Sequence, residues 1–204
     1  MSTNKTNVKK NSNDKYHHGN LKKELIEQGL RIINEEGEES LSFRKVAAAC
    51  GVSHTAAYAH FSNKEDMINS IKETVADEFT NELEEAVKKV KSNSYDKKII
   101  AMGRRYVSFF IERPDYYKFL FEKQMIAVHF DANNDYENDF KAFRLLKKLY
   151  LNMIEESGIK KAKAQKEKEL IQIWSSVHGL ASIACMKNAV YDGSWEKLIK
   201  ELVN

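Results

Sequence analysis

Apolar residues recur mostly every three or four positions along this chain, and no segment alternates strictly enough to be a strand. Leu21, Leu25, Ile26, Leu30 and Ile33 draw a broad stripe on a first helix over about Gly19 to Glu36, with Gly37 placed as its left-handed C-terminal cap. Ser42 is the expected N-cap of a second helix that ends near Cys50. Ser53 is expected to cap a third that ends near Phe61. Ser62-Asn-Lys-Glu65 has the form of a capping box. It opens a long fourth helix carrying Ile68, Ile71, Val75, Phe79, Leu83, Val87 and Val90. Further helices are expected over about 95–112, 114–124, 136–156, 162–188 and 194–203. Pro114 suits a first helical position, and Gly158 and Gly193 suit breaks. Residues 125–135 have no clear assignment.

The expected fold is therefore all-α, in two domains. A tail over 1–15, polar and basic through Lys5, Lys9, Lys10 and Lys15, is expected to be disordered. It is either a solvated tail or an arm that follows phosphates. A three-helix domain over 16–65 and a larger helical domain over 66–204 follow it. Composition agrees: one proline and eight glycines in 204 residues favour long helices, and 42% hydrophobic residues suffice for a core. The net charge of +3 permits a nucleic-acid partner without demanding one. No apolar run is long enough to cross a membrane or act as an export leader, so the expectation is a cytoplasmic protein with no membrane partner.

Residues 42–64 carry the most chemistry. Two short helices crossing steeply need a small residue where they touch, which Ala47 supplies. Gly51 supplies positive φ in the turn between them. Val46, Val52 and Ala57 are placed to face inward, leaving His54, Thr55, Tyr58 and His60 outward. Hydroxyls of Ser53, Thr55 and Tyr58 suit phosphate oxygens, and His54 and Thr55 suit base edges. The helix starts at Ser42 and Ser53 could offer backbone N–H groups to phosphate. Arg44 could reach phosphate or a base edge, and Lys64 adds a cation at the start of the fourth helix.

The pattern Gly51-Val52-Ser53-x-x-x-x-Tyr58-x-His60-Phe61-x-x-Lys64-Glu65 resembles the TetR family of transcriptional regulators. Tyr16-His17-His18-Gly19-Asn20-Leu21 and Trp174-x-x-x-His178-Gly179-Leu180 resemble a subgroup with a WHG-type C-terminal domain. The resemblance implies a homodimer in which Tyr58, His60 and Lys64 contact the DNA backbone and the third helix meets a palindromic operator. It also implies a C-terminal pocket whose small-molecule occupant loosens DNA binding, with repression of transcription as the outcome. Ala56 and Ala57 depart from the family pattern, where Thr and Leu or Pro are common, so no operator sequence carries over.

Within the C-terminal domain, Trp174 and His178 lie one turn apart, with Gly179 placed for close helix approach. They line either a ligand cavity or a packing or dimer seam, the latter helped by Trp195, Leu198, Ile199 and Leu202. The aromatic run across 106–121 is either core or an apolar pocket for a lipophilic or aromatic effector. Tyr106, Phe110, Tyr117 and Phe121 join Trp174 and His178 as candidate ligand residues. Cys50 and Cys185 suggest no disulfide, and the six histidines show no metal spacing, so neither metal nor cofactor is expected. No catalytic constellation is legible, which argues against an enzyme. A second reading is a helical sensor or protein-interaction module without sequence-specific DNA binding, which salt-dependent affinity for a promoter fragment would separate.

Overall fold

The computed structural model describes residues 21–123 and 125–204. The basic tail, the Tyr16–Asn20 segment and Gln124 lie outside the described residues. Nine α-helical stretches are described: α1 Leu21–Glu36, α2 Phe43–Ala49, α3 His54–Tyr58, α4 Lys64–Lys88, α5 Tyr95–Glu112, α6 Pro114–Tyr117, α7 Lys141–Ser157, α8 Lys163–Cys185 and α9 Trp195–Leu202. The chain divides into two compact units, 1–71 and 72–204, the division falling inside α4.

In the first unit the stripe of α1 is the core. Leu21, Leu25, Ile26, Leu30 and Ile33 are all buried, joined by Leu41, Phe43, Val46, Ala47, Ala57, Phe61, Met67 and Ile71. Gly37 has positive φ but ψ of 159°, so it is not the left-handed cap expected of it. It leads into a 3-10 turn, Glu38–Ser40, whose bonds run back to Gly37 and Glu38 carbonyls. The turn after α2 is a Schellman motif: Gly51 N–H donates to Ala48 O at 3.1 Å and Val52 N–H to Ala47 O at 2.9 Å. Gly51 holds φ of +70° there.

The capping box before α4 is displaced by one residue from the expected one. Asn63 Oδ1 accepts from Asp66 N–H at 2.8 Å, and Asp66 Oδ2 accepts from Ser62 N–H at 2.7 Å. Asparagine caps as well as serine, so the box slid to the pair whose carboxylate reached the free N–H.

In the second unit α5 is the central helix, with α7, α8 and α9 packed on it. Phe79 anchors the core, its ring 5.1 Å from Tyr106, 5.0 Å from Phe109, 4.5 Å from Phe110 and 5.7 Å from Phe140. The expected helix over 114–124 is short: after Tyr117 it widens into a π-helical turn, Lys118–Glu122, with Met125 N–H bonded to Leu120 O. The expected start of α7 at 136 is also corrected, to Lys141. Upstream, polar side chains compete with helical hydrogen bonds. Asp131 accepts from Asn133 N–H at 2.9 Å and Asn134 Nδ2 at 2.8 Å, and Phe140 N–H goes to Ala127 O at 2.9 Å. Gly158 ends α7 in the left-handed region. Among the described residues no helix is long and apolar enough to cross a membrane.

Among the described residues a Cβ at Gly51 would meet nothing within 4 Å, so backbone conformation sets the cost of replacing it. Gly51→Ala is expected to destabilise the first unit by about 1–2 kcal/mol in urea unfolding, and Gly51→Asn by less. Equal losses for both would mean that something other than positive φ governs the turn.

Candidate nucleic-acid interface and aromatic cluster

The surface at α2 and α3 follows from how little of α3 is needed for packing. Ala57 is buried and Ala56 half-buried, which leaves Ser53, His54, Thr55 and Tyr58 exposed on the same short helix and its cap. Tyr58 is 58% exposed, yet its ring is steadied edge-on by Phe43, with centroids 4.3 Å apart. Phe43 in turn stacks on Phe61 at 6.4 Å. The chain thus holds an exposed aromatic ring in place from beneath, with its phenol edge turned to a wet surface.

Ser42 caps α2 as expected, accepting from Lys45 N–H at 3.2 Å, and remains exposed beside exposed Arg44. The side chain of Ser53 does not cap α3. Its hydroxyl pairs with that of Thr55 at 2.9 Å, because the two face the same side of a single turn. His60 is half-buried, its ring 6.4 Å from Phe61. Lys64 is half-buried and donates to the Glu39 carbonyl at 3.3 Å, a neutral partner that leaves its charge uncompensated at that contact. Lys45, by contrast, is paired with Glu36. All eight candidate interface residues lie in the first unit, and five of them come from the α3 turn or its flanks.

The six candidate ligand residues of the second unit are brought together, around His178. Its Nδ1 lies 3.0 Å from the Tyr106 hydroxyl and its Nε2 3.3 Å from that of Tyr117. Phe121 packs edge-on against it at 4.6 Å, Trp174 stacks at 6.2 Å, and Phe110 joins through Tyr117 and Phe121 at 5.4 and 5.5 Å. Burial pushes the imidazole below its ordinary value. The neutral ring has one N–H and one bare nitrogen, so one tyrosine accepts and the other donates. Both phenols are themselves pushed up by burial and stay protonated.

This cluster is packed rather than hollow. A mainly apolar pocket of the second unit, about 200 Å³ and partly open to solvent, lies to one side of it, between α5, α7, α8 and the end of α9. Tyr106 and Trp174 line it; Phe110, Tyr117, Phe121 and His178 do not. Met102, Gly103, Leu146 and Val177 line it too, and sequence spacing offered no signal for them because they come from three helices. A larger open groove, about 790 Å³, runs between α4 and α7, where Lys141 is paired with Asp77 at 2.5 Å and buried Lys147 with Asp135 at 2.8 Å.

Gly179 was expected to admit a neighbouring helix closely. Among the described residues nothing lies within 4 Å of where its Cβ would be. Neither cysteine is poised as a thiolate. Burial is the main cause in both, raising Cys50, with Glu24 and Glu27 adding to it, and pushing Cys185 up to about 11. Among the described residues no group of three or more His, Cys, Asp or Glu is placed to hold a metal ion.

Residues 25–71 match the family described as bacterial regulatory proteins, tetR family. No curated protein matches the chain by sequence. Solved structures share its fold at low identity. The fatty acid degradation regulator FadR from Bacillus halodurans superposes with a TM-score of 0.64 at 16% identity, covering 88% of this chain and 94% of that one. A TetR-family transcriptional regulator from Haemophilus influenzae gives 0.63 at 16% identity, covering 91% and 93%. The transcriptional regulator FadR from Bacillus subtilis, in complex with stearoyl-CoA, gives 0.60 at 17% identity, covering 89% and 95%.

Because burial lowers the His178 value, the unfolded chain takes up a proton near the ordinary 6.5 while the folded chain does not. Unfolding then binds a proton, so stability falls as pH drops below about 6.5 and is fully present above it. Urea unfolding from about pH 7.5 to 5 should show this loss in the wild type and a shallower one in His178→Gln. Identical slopes would mean that the fold leaves His178 at its ordinary value.

Proposed function

We propose that this chain, a member of the tetR family of bacterial regulatory proteins by its N-terminal domain, is an effector-responsive repressor that binds a palindromic operator as a homodimer. The observation that carries this reading is the exposed set on α3, with Tyr58 supported by Phe43. Such a set has little use on a solvated helix and an evident one against a duplex. His54 and Thr55 take base edges in the major groove. Ser42, Ser53 and Tyr58 bond phosphate oxygens, and Arg44, His60 and Lys64 complete the backbone contacts. The N-terminal tail is a candidate arm along the duplex.

The second copy is proposed to dock on α8 and α9. Ile171, Ser175, Gly179 and Ile183 recur every four residues on α8, and Ile171, Ile183, Met186 and Leu202 are exposed. Small residues between exposed apolar ones let two helices approach closely, and the open space at Gly179 is where a partner helix would sit. Two-fold symmetry then sets half-sites about 34–36 Å apart, or a multiple. The domain over 66–204 takes an apolar or aromatic small molecule. α4, whose residues belong to both units, is the proposed lever between effector and operator, working through a coupling of about 1–3 kcal/mol. The reading is of a regulator rather than an enzyme, acting in the cytoplasm where its operator lies.

Tyr58→Phe should weaken binding to all promoter fragments alike, by about 1–2 kcal/mol, if its hydroxyl holds a phosphate. In the same assay His54→Ala should change base preference more than overall affinity. A base-specific loss from Tyr58→Phe, or an unchanged preference profile for His54→Ala, would reassign those residues. Affinity that is flat with rising salt would remove DNA binding altogether. Ile183→Glu is expected to shift the protein to monomer in sedimentation and to lower operator affinity with it. A dimer that persists would move the interface elsewhere.

A further inference from the structure

The cavity beside the aromatic cluster has the properties of a small-molecule site. Protein interiors keep few voids larger than a water molecule, and a dry engineered cavity of about 150 Å³ takes up benzene. The cavity here is about 200 Å³ and no charged side chain lines it. Two of its walls are aromatic: Tyr106 and Trp174 meet nearly at right angles, at 80°, with centroids 5.5 Å apart. Three polar side-chain atoms of the lining are engaged. The Tyr106 hydroxyl is bonded to His178, the Ser176 hydroxyl donates to Gln172 O, and Asn204 Nδ2 donates to Glu201 O.

Its outer wall is the end of α9 with Val203. That wall is fastened by one side chain of α5: Arg104 Nε donates to Val203 O at 2.9 Å and Nη2 to Lys200 O at 3.1 Å. Beside this latch, a Cβ on Gly103 would stand 2.9 Å from Val203 and 3.1 Å from Val177, so glycine is what lets the three elements close.

We propose that this cavity binds a small uncharged monocyclic aromatic compound, seated in the corner of Tyr106 and Trp174. A long acyl chain does not match the volume, and a phosphate-bearing ligand does not match a lining without a cationic side chain. Filling the cavity presses on the Tyr106 ring, which bridges it to His178 and to Phe79 of α4. The consequence for DNA rests on the repressor reading; the binding itself does not.

The test uses the full-length protein with toluene as probe, and hexanoate as a charged compound of similar size. Toluene should raise the wild-type Tm by several degrees and bind in NMR titration, while hexanoate does neither. Ile173→Phe, which fills the cavity, should keep its fold by circular dichroism and lose toluene affinity by about tenfold or more. Val177→Leu is a milder filling that serves the same comparison should Ile173→Phe unfold. No toluene shift in the wild type, or an equal shift in both filled variants, overturns the site. Toluene binding that leaves promoter-fragment affinity unchanged supports the cavity and counts against its effector role alone.

Discussion

A helix of five residues has no stability of its own, because nucleation costs more than so few hydrogen bonds return. α3 exists because its surroundings hold both of its ends. The Schellman turn at Gly51 delivers the chain from α2 at a set angle, and the other end is held by buried Ala57, whose carbonyl accepts from the His60 and Phe61 N–H groups. Everything proposed for the first unit depends on that support. The exposed side chains of α3 are ordered because the backbone beneath them is fastened by residues that are not exposed.

The second unit solves a different problem. It buries an imidazole inside a nest of aromatic rings, where an unpaired ring nitrogen would be costly. Tyr106 and Tyr117, from neighbouring helices, supply one partner to each nitrogen. The arrangement holds α5, α6 and α8 in one register. Burial favours the neutral ring, in which one phenol donates and the other accepts. The widening of the helix after Tyr117 into a π turn is part of the same fit, because it carries Phe121 onto the imidazole face.

Much of this was legible in the sequence where the signal was periodic or steric. The stripe of α1, the turn glycine, the cap at Ser42 and the proline opening α6 each follow from a local rule that the tertiary structure had no reason to override. The errors fall where several side chains competed for the same backbone group. Asn63 displaced Ser62 as the cap, Ser53 turned to Thr55, and the Asp131 knot delayed α7 to Lys141. The six candidate ligand residues do assemble, yet four of them fill the core rather than line the cavity. Spacing on one helix shows which residues share a face. It does not show where neighbouring helices leave a void, and Gly103 and Arg104 could be found only in three dimensions.

Only one side chain of α3, Ala57, is fully committed to the interior, and it is among the smallest available. The remaining positions of that helix can therefore be exchanged with little loss of burial. On the proposed reading, a lineage carrying this scaffold could redirect itself to a new stretch of genome by successive single substitutions at the exposed positions 54 and 55, each with little effect on folding. Divergence of that kind is easiest where specificity and stability are written in different residues.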